Sequence, residues 1–282
     1  EEFVADGVIL LNHMNKTHAQ NRKLTIAKMR GTPIDRCSFE YLIGEKYGGI
    51  IPIVLPKRAS IQNAPTEKLP SGIEGLDKML HGGVFKGSVT LIEGASGIGK
   101  TLTCLQFLGA NALKGEKTLY ISLEEPIGQI ERTMRGIGLD PQKLRDNLFI
   151  DSYVPEALSP LHYYMLLKDL LDLHHPTIIA FDTVTAMEHL LSKKDFINFS
   201  RYLQLLSKQK GITVLLTSTY GTIEAVRSSE ISTMADNIVI LRYFEIKDRM
   251  GREMLVLKTR GSEHEKKTVL FEITGSGINV QS

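Results

Sequence analysis

Eight consecutive residues, Gly94-Ala95-Ser96-Gly97-Ile98-Gly99-Lys100-Thr101, bring together the groups that hold a polyphosphate. They fit G-x-x-x-x-G-K-[ST], the Walker A loop. Glycines let the backbone curl until consecutive N–H groups face phosphate oxygens, and the start of a helix adds positive potential. Lys100 can then reach the β- and γ-phosphates, and the Thr101 hydroxyl can take a site on Mg²⁺. Ser96, Gly97, Ile98, Gly99, Lys100, Thr101 and Leu102 are the candidate nucleotide-binding residues. The chain is expected to bind a nucleoside triphosphate.

Carboxylates further along could complete the chemistry. Thr177-Ile178-Ile179-Ala180-Phe181-Asp182 is an apolar run ending in an acid and followed by Thr183. A strand of this Walker B kind beside the loop would let Asp182 hold Mg²⁺ through a water or the Thr101 hydroxyl. Strands also end in Asp by turn preference; the position downstream of Walker A favours the metal role. Glu124 and Glu125 follow the apolar run 118–123, on the edge of an open α/β sheet where ligands bind. One of them can orient or deprotonate a nucleophile, and crowding by like charge raises a carboxyl pKa toward that task. Glu124 is assigned this catalytic role, and counts with Thr101 and Asp182 as a candidate metal ligand. Glu125, just before Pro126, is shared between catalysis and stabilisation of the next helix's N-terminus.

These residues need a scaffold, and the hydrophobic pattern supplies one. Strands are expected at 88–93, 117–123, 147–151, 177–182, 212–218 and 236–243, and helices at 100–113, 126–137, 160–174 and 194–209. Such alternation implies an α/β fold with a mainly parallel sheet flanked by helices. Residues 254–258 and 269–274 read as a C-terminal antiparallel meander. A hydrophobic fraction of 42% suits a soluble globular protein, and a net charge of +2 makes no general polyanion binder. No apolar run approaches the roughly 20 residues that span a bilayer, and no signal peptide is visible; a cytoplasmic location is expected. Cys37 and Cys104 lack CxxC spacing, so Cys104 is expected to pack rather than react.

The chain also repeats itself. Asp6-Gly7-Val8-Ile9-Leu10-Leu11 resembles Asp236-Asn237-Ile238-Val239-Ile240-Leu241, and Lys28-Met29-Arg30-Gly31-Thr32 resembles Lys258-Thr259-Arg260-Gly261-Ser262. Asp6 to Asp236 and Lys28 to Lys258 are the same step of 230 residues. Residues 1–56 are therefore expected to be the last strands of a preceding domain, 57–68 a linker, and 69–282 a complete second domain. The Glu at position 1 fits a fragment or processed chain.

Walker A, a Glu-Glu pair after the next strand, Walker B and the late K-x-R-G-S motif resemble the RecA-like P-loop ATPases of the KaiC family. The opening Pro70-Ser71-Gly72-Ile73-Glu74-Gly75-Leu76-Asp77, the Gly82-Gly83 pair and the tandem repeat are similar to that family too. The resemblance implies ATP and Mg²⁺ as cofactors, and a homo-hexameric double ring with active sites shared between subunits. It implies that Lys258 and Arg260 project onto the triphosphate bound by the next subunit, with Arg252 on the adjoining strand assisting. A cation supplied in trans would neutralise charge on the transferring phosphoryl group. By themselves these cations read as solvated charge on an exposed strand. On the same logic Lys28 and Arg30 belong to the first domain's own inter-subunit site.

In the second domain of the family's circadian-clock member, a Ser-Thr pair accepts phosphate from ATP bound to the neighbouring subunit. Ser232 and Thr233 match that pair within I-S-T-x-x-D. Two departures count against clock-type regulation: Arg227 and Ser228 stand where that member has threonine and aspartate, and the chain ends at Ser282 without an extended tail. Helix caps use the same residue types. The competing reading is a DNA-dependent motor, but residues 219–235 offer Arg227 and Tyr220 against Glu224 and Glu230. Strand-holding loops need several cations and stacking aromatics, so neither nucleic acid nor a membrane is an expected partner. Regulatory protein partners remain open, as does a slow, nucleotide-dependent signalling scaffold.

Overall fold

The computed structural model describes residues 4–16, 19–34, 37–44, 48–53, 65–220, 222–246 and 249–280. The chain divides into two compact units, residues 1–57 with 158–169, and residues 58–157 with 170–282.

In the first unit four strands, β1 (Gly7–Lys16), β2 (Ala19–Met29), β3 (Ser38–Gly44) and β4 (Gly49–Pro52), form an antiparallel sheet in chain order. The second unit opens with β5 (Lys68–Leu69), α1 (Glu74–Met79) and β6 (Val84–Phe85). Lys68, the last residue of the expected linker, pairs with Phe85 in this short ribbon; residues 54–64 lie outside the described residues. Then come β7 (Val89–Gly94), α2 (Lys100–Ala112), β8 (Thr118–Ser122), α3 (Ile127–Gly136), α4 (Pro141–Leu144) and β9 (Leu148–Ser152). Helix α5 (Pro160–His174) is divided, its residues up to 169 belonging to the first unit; β10 (Ile178–Asp182), α6 (Val184–Leu190), α7 (Lys193–Lys210) and β11 (Thr213–Ser218) follow in the second. Two short helices, α8 (Ile223–Ser228) and α9 (Glu230–Met234), precede β12 (Asn237–Ile246), β13 (Arg249–Thr259), β14 (Val269–Thr274) and β15 (Gly277–Val280).

The sheet runs β15-β14-β13-β12-β7-β11-β10-β8-β9. From β12 to β9 every neighbour is parallel, while β13, β14 and β15 add antiparallel. All residues of β7, β8, β10 and β11 are buried, as parallel strands covered on both faces require. Leu91, Leu105, Leu108, Leu119, Ile178 and Leu215 are fully buried, each worth about 1.5–3 kcal/mol relative to exposure. Cys104 is among the packed core residues. Helix α7 shows why the register holds: Ser192 caps its first turn by accepting from the Asp195 amide, and Gly211 ends it in the left-handed conformation.

The internal repeat extends to backbone detail. β1 pairs with β2 as β12 pairs with β13, and each ribbon shifts register at equivalent places, Val8/Ile9 and Ile238/Val239. The Arg30 amide donates to the Asp6 carbonyl, and the Arg260 amide to the Asp236 carbonyl.

Candidate active site

Parallel neighbours end together, so the loops after β7, β8 and β10 open on one edge of the sheet: Ser218 pairs with Glu93, and Asp182 with Ser122. Gly94 closes β7 where a Cβ would sit 2.4 Å from the Leu241 carbonyl oxygen. Gly99 precedes α2 at φ +124°, a conformation that glycine adopts at little cost. Ser96 and Gly97 are exposed on the loop. Ile98 is fully buried and Leu102 packs against the core, so their side chains anchor the loop. The first amides of α2 have no intrahelical acceptor, which makes this end of the helix suited to an anion.

Lys100 folds over the loop and donates from Nζ to the Gly94 carbonyl at 2.8 Å and the Ala95 carbonyl at 3.0 Å. Burial lowers its pKa, against the opposing pull of Asp182, Glu124 and Glu93. Thr101 Oγ1 donates to Asp182 Oδ2 at 2.6 Å. The Tyr120 hydroxyl donates to the same carboxylate oxygen, and the Thr217 hydroxyl to Oδ1. Three hydroxyl protons thus occupy most of the roughly four acceptor positions of a carboxylate. With its proton on Asp182, Thr101 keeps oxygen lone pairs to offer a cation.

Glu124 is exposed at the rim. Its pKa is raised by partial burial first, then by the Asp182 and Glu125 carboxylates, with Lys100 opposing. Glu125 hangs from the Ser122 hydroxyl through its amide at 2.9 Å, and its Oε2 is buried without a hydrogen bond. Among the described residues no group of three or more His, Cys, Asp or Glu could hold a metal ion. A divalent cation at Thr101 and Asp182 would need phosphate oxygens and water to fill its shell, the usual situation for Mg²⁺. The donor set fits that ion.

The protein-family model described as ATPase: KaiC matches residues 1–56 and 69–282. The chain belongs to the KaiC ATPase family. It is 32% identical over 285 residues to the circadian clock protein KaiC3 of Synechocystis sp., covering 99% of this chain and 56% of that protein. It is 31% identical over 286 residues to the circadian clock oscillator protein KaiC of Prochlorococcus marinus, covering 100% of this chain and 56% of that protein. The corresponding KaiC of Thermosynechococcus vestitus is 31% identical, with 100% and 55% covered. The chain therefore spans little more than half the length of these relatives.

Of the other residues that KaiC membership brings into question, Lys258 and Arg260 bond to α9 and the residue after it, and Arg252 lies elsewhere. Lys258 Nζ donates to the carbonyls of Ser232 and Ala235, and Arg260 to that of Thr233 at 2.7 Å. Burial, and then Arg260, lower the Lys258 pKa, with Asp236 opposing. Arg252 stands apart, facing Tyr243 across the ribbon while Lys258 faces Ile238. Six residues of strand put about 20 Å between Arg252 and Lys258. The Arg252 guanidinium lies over the Tyr243 ring at 5.5 Å, and the Tyr243 hydroxyl closes on Gly97, where a Cβ would meet it at 3.4 Å. Arg252 therefore sits by its own chain's loop rather than with the other two cations.

The candidate acceptors divide as well. Ser232 is buried, with its hydroxyl donating to the Ser229 carbonyl at 2.8 Å, whereas Thr233 is exposed and donates to the Glu230 carbonyl at 2.7 Å.

Tyr120, Thr217 and Glu93 carry no motif in the sequence that marks them as site residues. Each lies inside an apolar strand, and their convergence depends on which strands are neighbours. Other strand positions such as Thr118, Ser122, Thr213 and Thr90 are polar too, so a polar group within the strand is no distinguishing signal. Among the described residues no helix is long and apolar enough to cross a membrane.

Proposed function

We propose that this chain binds ATP with Mg²⁺ in the 94–101 loop and hydrolyses it as one subunit of a homo-hexameric ring. The observation that carries the reading is the bond from Thr101 to Asp182 at 2.6 Å, beside a lysine folded over the same loop. Ser96, Gly97, Ile98, Gly99 and Leu102 supply main chain around the phosphates, and Lys100 moves from the loop carbonyls to the β- and γ-oxygens. Mg²⁺, when bound, would neutralise phosphate charge; Thr101 and Asp182 would hold it, and Glu124 is the further carboxylate that could join them. Glu124 takes the proton of the attacking nucleophile, with Glu125 as its neighbour. Lys258 and Arg260 serve the triphosphate of the next subunit, where cations stabilise the charge of the transferring group. Arg252 acts on its own chain's loop through Tyr243.

The first unit fits the closing strands of an earlier, equivalent domain. Ile9, Leu10 and Leu11 are 54%, 42% and 49% exposed, while their counterparts Val239, Ile240 and Leu241 are at most 4% exposed beside β7. A strand equivalent to β7 would cover them.

A second reading, autophosphorylation on Ser232 or Thr233, is favoured by the exposed Thr233 hydroxyl on the helix that Lys258 and Arg260 hold. Incubation with γ-labelled ATP tests both readings, following label into free phosphate and into protein, with Ser232→Ala and Thr233→Ala controls. Label in phosphate alone supports an ATPase. Label in protein that the double variant loses supports an autokinase. Label in neither removes the function proposed.

A further inference from the structure

We propose that Tyr120 is a positioning residue for divalent-cation binding, setting the Thr101–Asp182 pair from within the sheet. The proposal rests on the nucleotide-site reading above.

Asp182 ends β10, whose neighbours are β8 and β11. Each neighbour contributes one hydroxyl to the carboxylate: Tyr120 of β8 donates to Oδ2, and Thr217 of β11 to Oδ1. The carboxylate is gripped from the strands on both sides, and Thr101 is its contact with the loop. Oδ2 matters most, because it receives both the Tyr120 and the Thr101 protons. Fixing that oxygen fixes the direction of the Thr101 O–H bond, and hence where the Thr101 lone pairs point. A cation bound at Thr101 feels Tyr120 through two intervening oxygens.

Packing does not account for the hydroxyl. All five residues of β8 are buried, and Tyr120 is 1% exposed. A phenylalanine would fill the same space without placing a polar atom in the core, which is costly unless the atom is bonded. The bond to Asp182 is what offsets that cost. Groups that orient the ligands of a metal commonly change its affinity by 10- to 100-fold when removed.

Tyr120→Phe tests this in the full chain, with Thr101→Val alongside. Mn²⁺ affinity in the presence of a non-hydrolysable ATP analogue is read from the paramagnetic resonance signal of free Mn²⁺. Affinity for the analogue alone is read in EDTA. The expected result for Tyr120→Phe is a loss of about tenfold in Mn²⁺ affinity, with the metal-free affinity of the analogue unchanged. Equal losses with and without metal would make Tyr120 merely structural and overturn the proposal. Parent-like Mn²⁺ affinity in Tyr120→Phe, with Thr101→Val still impaired, would overturn the role of Tyr120 and leave the site reading standing. Parent-like affinity in Thr101→Val would overturn both.

Discussion

Lys258 Nζ reaches the carbonyl oxygen of Ser232 at 3.0 Å, across a sequence separation of 26 residues. The strand proposed to serve the neighbouring triphosphate is thereby fastened to the helix carrying the candidate acceptor hydroxyls. Both Lys258 and Arg260 spend their donors on carbonyls that a short helix end leaves open.

Lys258→Ala should therefore loosen α9 locally. Losing a charged donor to partly buried carbonyls costs about 1–3 kcal/mol, so amides in the 230–235 segment should exchange with deuterium about tenfold faster or more. Amides of β7 should be unaffected. Hydrogen exchange followed by mass spectrometry reads both regions in one experiment.

Glu124→Gln should keep ATP binding and lose turnover, since the amide fills the same space and accepts no proton. The expected fall in the hydrolytic rate is about 10²- to 10⁴-fold. In the role proposed for it Glu124 has to be ionised to act, and its pKa is raised. Turnover should therefore decline on acidification at a pH above the ordinary carboxylate range. A pH–rate profile checks the direction.

Much of this site is legible in residue order, because the loop 94–101 and the strand end at Asp182 are local patterns. The parallel strands β7 to β11 and the long helices emerge within a residue or two of expectation. Strands β12 and β13 run longer than expected, to Ile246 and from Arg249, because their ends pair in a ribbon that an apolar pattern does not reveal. Helices α8 and α9 do not emerge. They have six and five residues, too short for a periodic signal, and α9 depends on Ser229 accepting from the Ser232 amide at 3.2 Å. The division between Lys258 and Arg252 was also hidden, because the K-x-R-G-S motif does not show how far along the ribbon Arg252 lies. Tyr120 and Thr217 became site residues only when the sheet order placed β8 and β11 on either side of β10.

Glu93 illustrates a cost that the strand pattern concealed. Its carboxyl is fully buried at the end of β7, with neither oxygen in a hydrogen bond of normal geometry. Burial pushes its pKa from 4.5 up to about 8, against the pull of Ser218 and Lys100. Between those pH values the folded chain keeps a proton that the unfolded chain has released, so stability falls as pH rises through that window. Below it Glu93 has no such effect, and above it the loss is complete. Glu93→Gln removes the titration. Its stability relative to the parent should grow from pH 5 to pH 8, by about 1.4 kcal/mol per pH unit at most. Urea unfolding at a series of pH values measures the difference, and a constant offset would contradict it.

In the function proposed, the loop 94–101 turns over ATP with Mg²⁺. The most direct measurement is Mg²⁺-dependent release of phosphate from γ-labelled ATP by the full chain, compared with Lys100→Ala under identical conditions. Losing the Lys100 ammonium removes a charge-assisted contact worth about 1.5–3 kcal/mol, so the variant should bind ATP at least about tenfold more weakly and release little phosphate. The expected result is release by the parent that chelation of Mg²⁺ abolishes and Lys100→Ala lacks. Equal release by parent and variant, or release indifferent to Mg²⁺, would contradict it.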